Sequence, residues 1–250
     1  MGDHVTMTRA QQANLRGGLP RPRRNATSAV LVLHGGQEHN LQPTAATQLS
    51  YLRMLDMYVG LRRHSSGAAV YLLRHRVRGW NPDPAGGSEP DPVTDARWAL
   101  DRITDRHGDV PVALLGHSMG GRTAFAVADD RRVVGVCGLA PWLPEGEPVV
   151  EPRDDQRFVI AHGTADRTTS PDLSLRYAEK LRASGAAVAR FELAGGRHDL
   201  LSRPVLWHRL AVAVPLGLAG DAALPRAVVD AFEGVGSDGL RVPLDDVRSP

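Results

Sequence analysis

Val110-Pro111-Val112-Ala113-Leu114-Leu115-Gly116-His117-Ser118-Met119-Gly120-Gly121 is the stretch on which the fold turns. Residues 110–115 form a short apolar run without alternation, which suits a strand covered on both faces. Residues 122–128 then read as a helix. Gly116 and Gly120 stand two before and two after Ser118. A turn tight enough to pass directly from strand to helix leaves no space for side chains at those positions. It also holds the serine in a strained backbone conformation that lifts its hydroxyl above the sheet. The helix that follows presents its first backbone N–H groups to developing negative charge. Gly-x-Ser-x-Gly in this strand-turn-helix setting is a nucleophile elbow.

The same alternation continues on both sides of the elbow. Apolar runs at 29–33, 68–73, 133–139 and 158–161 read as buried strands, and 187–193 as a more alternating one. Helix-length segments lie between them. The segment 46–63 is expected to place Leu49, Leu52, Leu55 and Val59 on one face. The segment 91–106 opens with Asp91-Pro92, expected as N-cap and first helical residue. The segment 171–184 ends at Gly185, expected just past the helix C-terminus. Strand and helix in repeated alternation predict an α/β fold with a mostly parallel sheet and helices on both faces. The organisation expected is a polar N-terminal segment over 1–28, a catalytic domain over 29–219, and a short helix (222–232) with a weakly structured tail over the rest of 220–250. In the first segment at most one short strand is expected, around Val5 and Met7.

Three further motifs sit at the ends of predicted strands. His34-Gly35-Gly36 ends the run 29–33, where a backbone N–H of Gly36 or Gln37 could join that of Met119 in receiving an oxyanion. His34 itself is expected to shape the turn through hydrogen bonds. His162-Gly163-Thr164-Ala165-Asp166 follows the run 158–161 and puts a carboxylate within reach of the next loop. That loop, Gly195-Gly196-Arg197-His198-Asp199, carries the only histidine between Gly163 and Trp207. Serine, aspartate and histidine thus occur in the chain order of an acyl-transfer triad.

Composition narrows the partners. The net charge is only +2 at pH 7 and the pI is near 9.0. The basic residues are almost all arginine, Lys180 being the only lysine, and in the 91–106 segment they interleave with acids as on a solvated helix face. Nucleic acid is therefore not expected as a partner. The single cysteine, Cys137, lies in an apolar run and rules out an intrachain disulfide or a cysteine-rich zinc site. Neither a signal peptide nor a membrane span is evident, because the most apolar stretch, 205–219, is broken by His208, Arg209 and Pro215. A cytoplasmic location is expected.

With these motifs in place, the chain from about Ala29 to Ala219 resembles the α/β-hydrolase superfamily. The resemblance implies an active site at the carboxyl ends of the strands, with Ser118 as nucleophile, His198 as base and Asp166 as its orienting carboxylate. It implies hydrolysis of a small-molecule ester or thioester without metal or organic cofactor. Only 28 residues precede the first core strand, so a reduced sheet of about six to seven strands is expected. Only 140–156 is available where the family often inserts a cap, so no cap domain is expected. Trp80, Trp142 and Leu143 follow strands on the same side and are candidate pocket walls, unless the tryptophans merely pack the loops. Gly-His-Ser-Met-Gly-Gly also resembles the elbow of thioesterases acting on carrier-bound acyl groups, giving a thioesterase or acyltransferase as an alternative. A non-catalytic binder that keeps the fold is the alternative of another class.

Overall fold

The computed structural model describes residues 12–19, 26–83, 86–234 and 238–247. Its core is one sheet of eight strands in the order β1-β3-β2-β4-β5-β6-β7-β8. The strands are β1 (Asn14–Gly18), β2 (Ser28–Leu33), β3 (Ala68–Arg74), β4 (Val112–His117), β5 (Val133–Leu139), β6 (Arg157–Gly163), β7 (Ala187–Leu193) and β8 (Val242–Pro243). All pairs are parallel except β1 with β3. The sheet has eight strands against the six or seven expected, because short strands, β1 and β8, are added at its two edges.

The central strands show why an unbroken apolar run is needed. In β2, Ala29, Leu31 and Leu33 face one core, while Val30 and Val32 face the other. The first core is closed by α2 (Asp91–His107), α3 (Met119–Ala126) and α4 (Pro171–Ala183). The second is closed by α1 (Leu49–His64), α5 (Pro204–Leu218) and α6 (Arg226–Glu233). Chain progression reverses at β2: β3 lies to one side of it and β4 to the other. The crevice above such a switch point is where open α/β sheets place their ligands.

Several expectations need correction. The buried face of α1 is Tyr51, Met54, Tyr58 and Leu61, whereas Leu49 and Leu52 are 76% and 40% exposed. Asp91 is the first residue of α2 and not its N-cap, which is Pro90. Its carboxylate instead accepts hydrogen bonds from Asn81 and Arg76. The described part of the expected tail, residues 238–247, is not weakly structured: Leu240, Leu244 and Val247 are buried, and β8 pairs with β7. The buried guanidinium of Arg190 helps hold it, donating to the carbonyl of Leu240 and pairing with Glu192. The strand expected around Val5 and Met7 lies outside the described residues. Other expectations correspond closely to the fold. Gly185, at φ +96°, stands just past α4, where the N–H groups of Gly185 and Ala186 return to Arg182 and Leu181. Between β5 and β6, residues 140–156 form a loop without a helix. No described helix is long and apolar enough to cross a membrane.

Asp221, just after α5, shows how the far end of the sheet is fixed. Its carboxylate accepts N–H bonds from Ser66, Gly67 and Ala68, at the entry to β3. Burial alone would raise its pKa, but these bonds outweigh burial and hold it below the usual carboxylate range. Asp221→Ala is expected to lower stability by about 1–3 kcal/mol at neutral pH, measured by urea denaturation. Because the folded pKa is depressed, the gap between wild type and variant should close as the pH falls below about 4.

Candidate active site

Each site residue is carried by a loop at the carboxyl end of a parallel strand. Ser118 follows β4 and precedes α3 with φ +56° and ψ −121°, a conformation that non-glycine residues rarely adopt. The packing around it leaves no alternative path. A Cβ on Gly116 would lie 2.2 Å from the carbonyl oxygen of Gly120, and one on Gly120 would lie 2.3 Å from that of Leu33. The chain therefore turns in contact with its own backbone and with the end of β2.

The loops after β6 and β7 are tied to each other before they reach Ser118. Thr164 N–H donates to Leu193 and Ala165 N–H to Gly196, at 3.0 and 2.9 Å. This places Asp166 and His198 side by side. His198 Nδ1 lies 2.8 Å from Asp166 Oδ2, and His198 Nε2 lies 3.0 Å from Ser118 Oγ. The structure thus brings together the three residues singled out in the sequence.

Asp166 is surrounded by donors. Oδ1 accepts the N–H groups of Thr168 and Thr169 at 2.8 and 3.0 Å. Oδ2 accepts the Thr169 hydroxyl at 3.0 Å, and His162 Nε2 lies 3.3 Å away. Burial by itself would raise the pKa of this carboxyl; the bonds from His162, His198 and Thr169 overcome it and hold the pKa far below the usual carboxylate range. The carboxylate is consequently ionised throughout the ordinary pH range. The imidazole of His198 has its own support: His117 Nε2 donates to the His198 carbonyl at 2.9 Å, and the two rings lie 4.8 Å apart. His117, His162 and Thr169 were not singled out as site residues. His162 belongs to the motif that contains Asp166, and its spacing of four residues from it was the available signal.

The backbone donors sort themselves by what they already do. Gln37 N–H donates to the carbonyl of Arg78 at 2.8 Å, so it is not free to receive an oxyanion. This corrects the expectation that left Gln37 and Gly36 as equals. Among the described residues, the N–H groups of Gly36 and Met119 have no such partner. Gly36 also sits against Met119, since a Cβ there would meet its sulfur at 2.5 Å. His34 is fully buried; Nδ1 donates to the Gly35 carbonyl at 2.7 Å, and Nε2 accepts from His75 N–H at 3.2 Å. It fixes the turn that carries Gly36.

Ser118 opens into a cleft of about 780 Å³. Its walls include Gly35, Gly36, Leu49, Ser50 and His198, and three arginines, Arg53, Arg167 and Arg197, border it. Trp80, Trp142 and Leu143 do not line this cleft, contrary to expectation. Trp80 and Leu143 are buried in the opposite core, with Trp142 packed against it. The Arg122 guanidinium lies 4.0 Å from the Trp80 ring centroid and 4.5 Å from that of Trp142, and is paired with Glu147. The tryptophans pack the loops. Leu49 and Arg53 were missed as cleft residues because α1 brings them there from a distant part of the sequence.

Comparison with known proteins agrees with this architecture. Residues 64–156, which include Ser118, match the sequence model of a family described as serine aminopeptidase, S33. No curated protein matches the chain in sequence. Among solved structures, Est1E from Butyrivibrio proteoclasticus, with ferulic acid bound, is similar at a TM-score of 0.59 and 12% identity, over 83% of this chain and 96% of that one. XC6422 from Xanthomonas campestris, described as an α/β serine hydrolase without lid, is similar at 0.57 and 16% identity, over 80% and 86%. An esterase from Pyrobaculum calidifontis gives 0.56 and 16%, over 84% and 85%.

Two buried histidines near the site predict a loss of stability in acid. Burial, reinforced by the neighbouring His75, lowers the pKa of His34 to about 3; burial, reinforced by His198, lowers that of His117 to about 3. Below the unfolded value of about 6.5 the unfolded chain binds these protons and the folded chain does not. Stability should therefore fall as pH drops from about 6.5 towards 3, each histidine contributing up to about 1.4 kcal/mol per pH unit. Urea denaturation of wild type and His34→Gln across this range checks it. The variant should show the shallower slope, whatever its stability at pH 7.

Proposed function

The chain has the fold of the α/β-hydrolase superfamily, and on that premise we propose that it is a serine hydrolase of carboxylic esters working through an acyl-enzyme. The observation that carries this reading is the unbroken hydrogen-bonded line from Ser118 Oγ through His198 to the ionised Asp166, with spacings of 3.0 and 2.8 Å. In the first step Ser118 Oγ attacks the ester carbonyl and His198 Nε2 takes its proton. Asp166 holds the imidazole in the tautomer that leaves Nε2 as acceptor, and stabilises the imidazolium that forms. The N–H groups of Gly36 and Met119 receive the oxyanion; a donor of this kind contributes about 3–4 kcal/mol to the transition state. The tetrahedral intermediate then collapses, and His198 returns its proton to the departing alcohol. Water, deprotonated by His198, releases the acid and regenerates Ser118.

The cleft favours an ester over the substrate of an aminopeptidase. An enzyme of that kind must hold a protonated α-amine, which calls for carboxylates near the scissile bond. Here Asp166 is saturated by its own donors, and Asp199, on the rim, faces Arg197 at 3.5 Å. Three guanidinium groups border the same space. Such a charge distribution repels an ammonium group.

The test is hydrolysis of a 4-nitrophenyl ester series and of amino-acid arylamides by wild type and Ser118→Ala. Wild type should turn over esters in preference to arylamides. Ser118→Ala should lose most of a rate enhancement on the order of 10⁶, because the three residues act as a unit. Ester turnover that survives in Ser118→Ala, or none in folded wild type, would overturn the assignment.

A further inference from the structure

We propose that the cleft selects esters that carry a second, anionic group, a carboxylate, and that Arg53 receives it. This rests on the ester-hydrolase reading only for the place of the scissile bond. Arg53 lies on α1, one turn after Leu49, and borders the cleft together with Ser118 and His198. Its guanidinium differs from the other partly buried arginines of this protein. Arg76 is paired with Asp95, Arg122 with Glu147, Arg132 with Asp130 and Arg190 with Glu192. Arg53 has no hydrogen-bond or ion-pair partner among the described residues, and its Nη1 is sealed from solvent without one. Buried charge is ordinarily paired. The sealed Nη1 is out of a ligand's reach, but the Nε–Nη2 edge is not sealed and likewise has no partner among the described residues, and a planar carboxylate fits that edge with two parallel hydrogen bonds.

The groups around it support the same sign of ligand. Arg167 borders the cleft, exposed, and also has no partner among the described residues. Arg197 adds a third cation, partly offset by Asp199. Asp56, on the same helix, lies towards His208 at 3.9 Å and away from this role. His117 lines the cleft in its neutral form, because burial holds it so, and adds no charge. Leu49 and Ser50 open α1 at the cleft wall, which turns the positive end of that helix dipole towards the ligand. The anion is thus bound at a second point, away from the oxyanion donors, and positions the scissile carbonyl over Ser118 Oγ.

Two matched substrate pairs test this, one with the anion on the acyl side and one with it on the alcohol side. The first is mono-4-nitrophenyl glutarate against 4-nitrophenyl hexanoate; the second is 4-carboxyphenyl acetate against 4-carbamoylphenyl acetate. In at least one pair kcat/KM should favour the anion by about tenfold or more, and the ratio should shrink in about 0.5 M NaCl. Arg53→Gln should lower that ratio by about tenfold and Arg167→Gln, at an exposed position, by about threefold. Calorimetry with Ser118→Ala supplies a readout without turnover: glutarate or 4-hydroxybenzoate should bind, and the added Arg53→Gln change should abolish binding. Ester turnover that depends on Ser118 but shows no anion preference in either pair would overturn the proposal and leave the hydrolase reading standing. Anion binding that depends on Arg53, in a protein that hydrolyses none of the four esters, would do the reverse. A ratio unchanged in Arg53→Gln and Arg167→Gln would also overturn it; should Arg53→Gln fail to fold, Arg167→Gln and the salt dependence decide.

Discussion

The left-handed turn at Ser118 is forced by packing from three sides. A residue with φ +56° and ψ −121° stores about 1–3 kcal/mol of strain and persists only where its surroundings over-determine it. Here Gly116 is pressed onto the backbone of Gly120, and Gly120 onto the end of β2. The same contact brings the His34-Gly35-Gly36 turn against Met119, so the pair of backbone donors and the hydroxyl are set by one packing event. β2 and β4 are neighbours in the sheet because strand addition switches from one side of β2 to the other after β3. The topology supplies the crevice, and the small residues let the two strands' loops close over it.

The second organising element is the Asp166 carboxylate. An isolated buried carboxylate would take up a proton, since desolvation disfavours its charge. Backbone N–H groups, a hydroxyl and two imidazoles reverse that balance. Several of these donors come from the chain's own next turn, at Thr168 and Thr169, so they form whenever that turn forms. His162 reaches the carboxylate from inside the sheet, at the end of β6. The charge is thus fixed by local structure, and His198 is then docked onto it by bonds between the loops after β6 and β7.

What could be read from the sequence follows from the range of the interactions concerned. Ser118, Asp166 and His198 were legible because each lies in a short motif at the end of an apolar run, and a parallel sheet brings such ends together. The role of His34 was legible for the same reason. The apolar face of α1 was not: Leu49, Leu52, Leu55 and Val59 form a helical stripe, yet Tyr51, Met54, Tyr58 and Leu61 form a competing one. Only the tertiary context, in which Leu49 borders the cleft, decides between them. Trp80 and Trp142 were misplaced because both follow strands on the correct side but turn into the opposite core, around Arg122. Gln37 failed as a donor for a similar reason: its N–H is taken by Arg78, a partner distant in sequence. The edge strands escaped notice because polar, glycine-containing segments carry no periodic signal and are ordered by the sheet they join.

The distribution of arginine carries information that its abundance hides. A chain with one lysine and a net charge of only +2 reads as electrostatically neutral in bulk. Acids on α2 and the loops pair with many of its guanidinium groups, as at Arg97 with Glu89 and Asp129. Neutral totals, however, say nothing about a concave wall, where low-dielectric sides concentrate the field of whatever charge is left. The cleft above Ser118 is such a wall, and the acids that could balance it are absent from its described lining apart from Asp199. An approaching anion would meet an attractive field there before making any contact. An oxyanion held by Gly36 and Met119, as proposed, would lie in the same field, so a charge that sorted substrates would also favour the transition state of the proposed reaction.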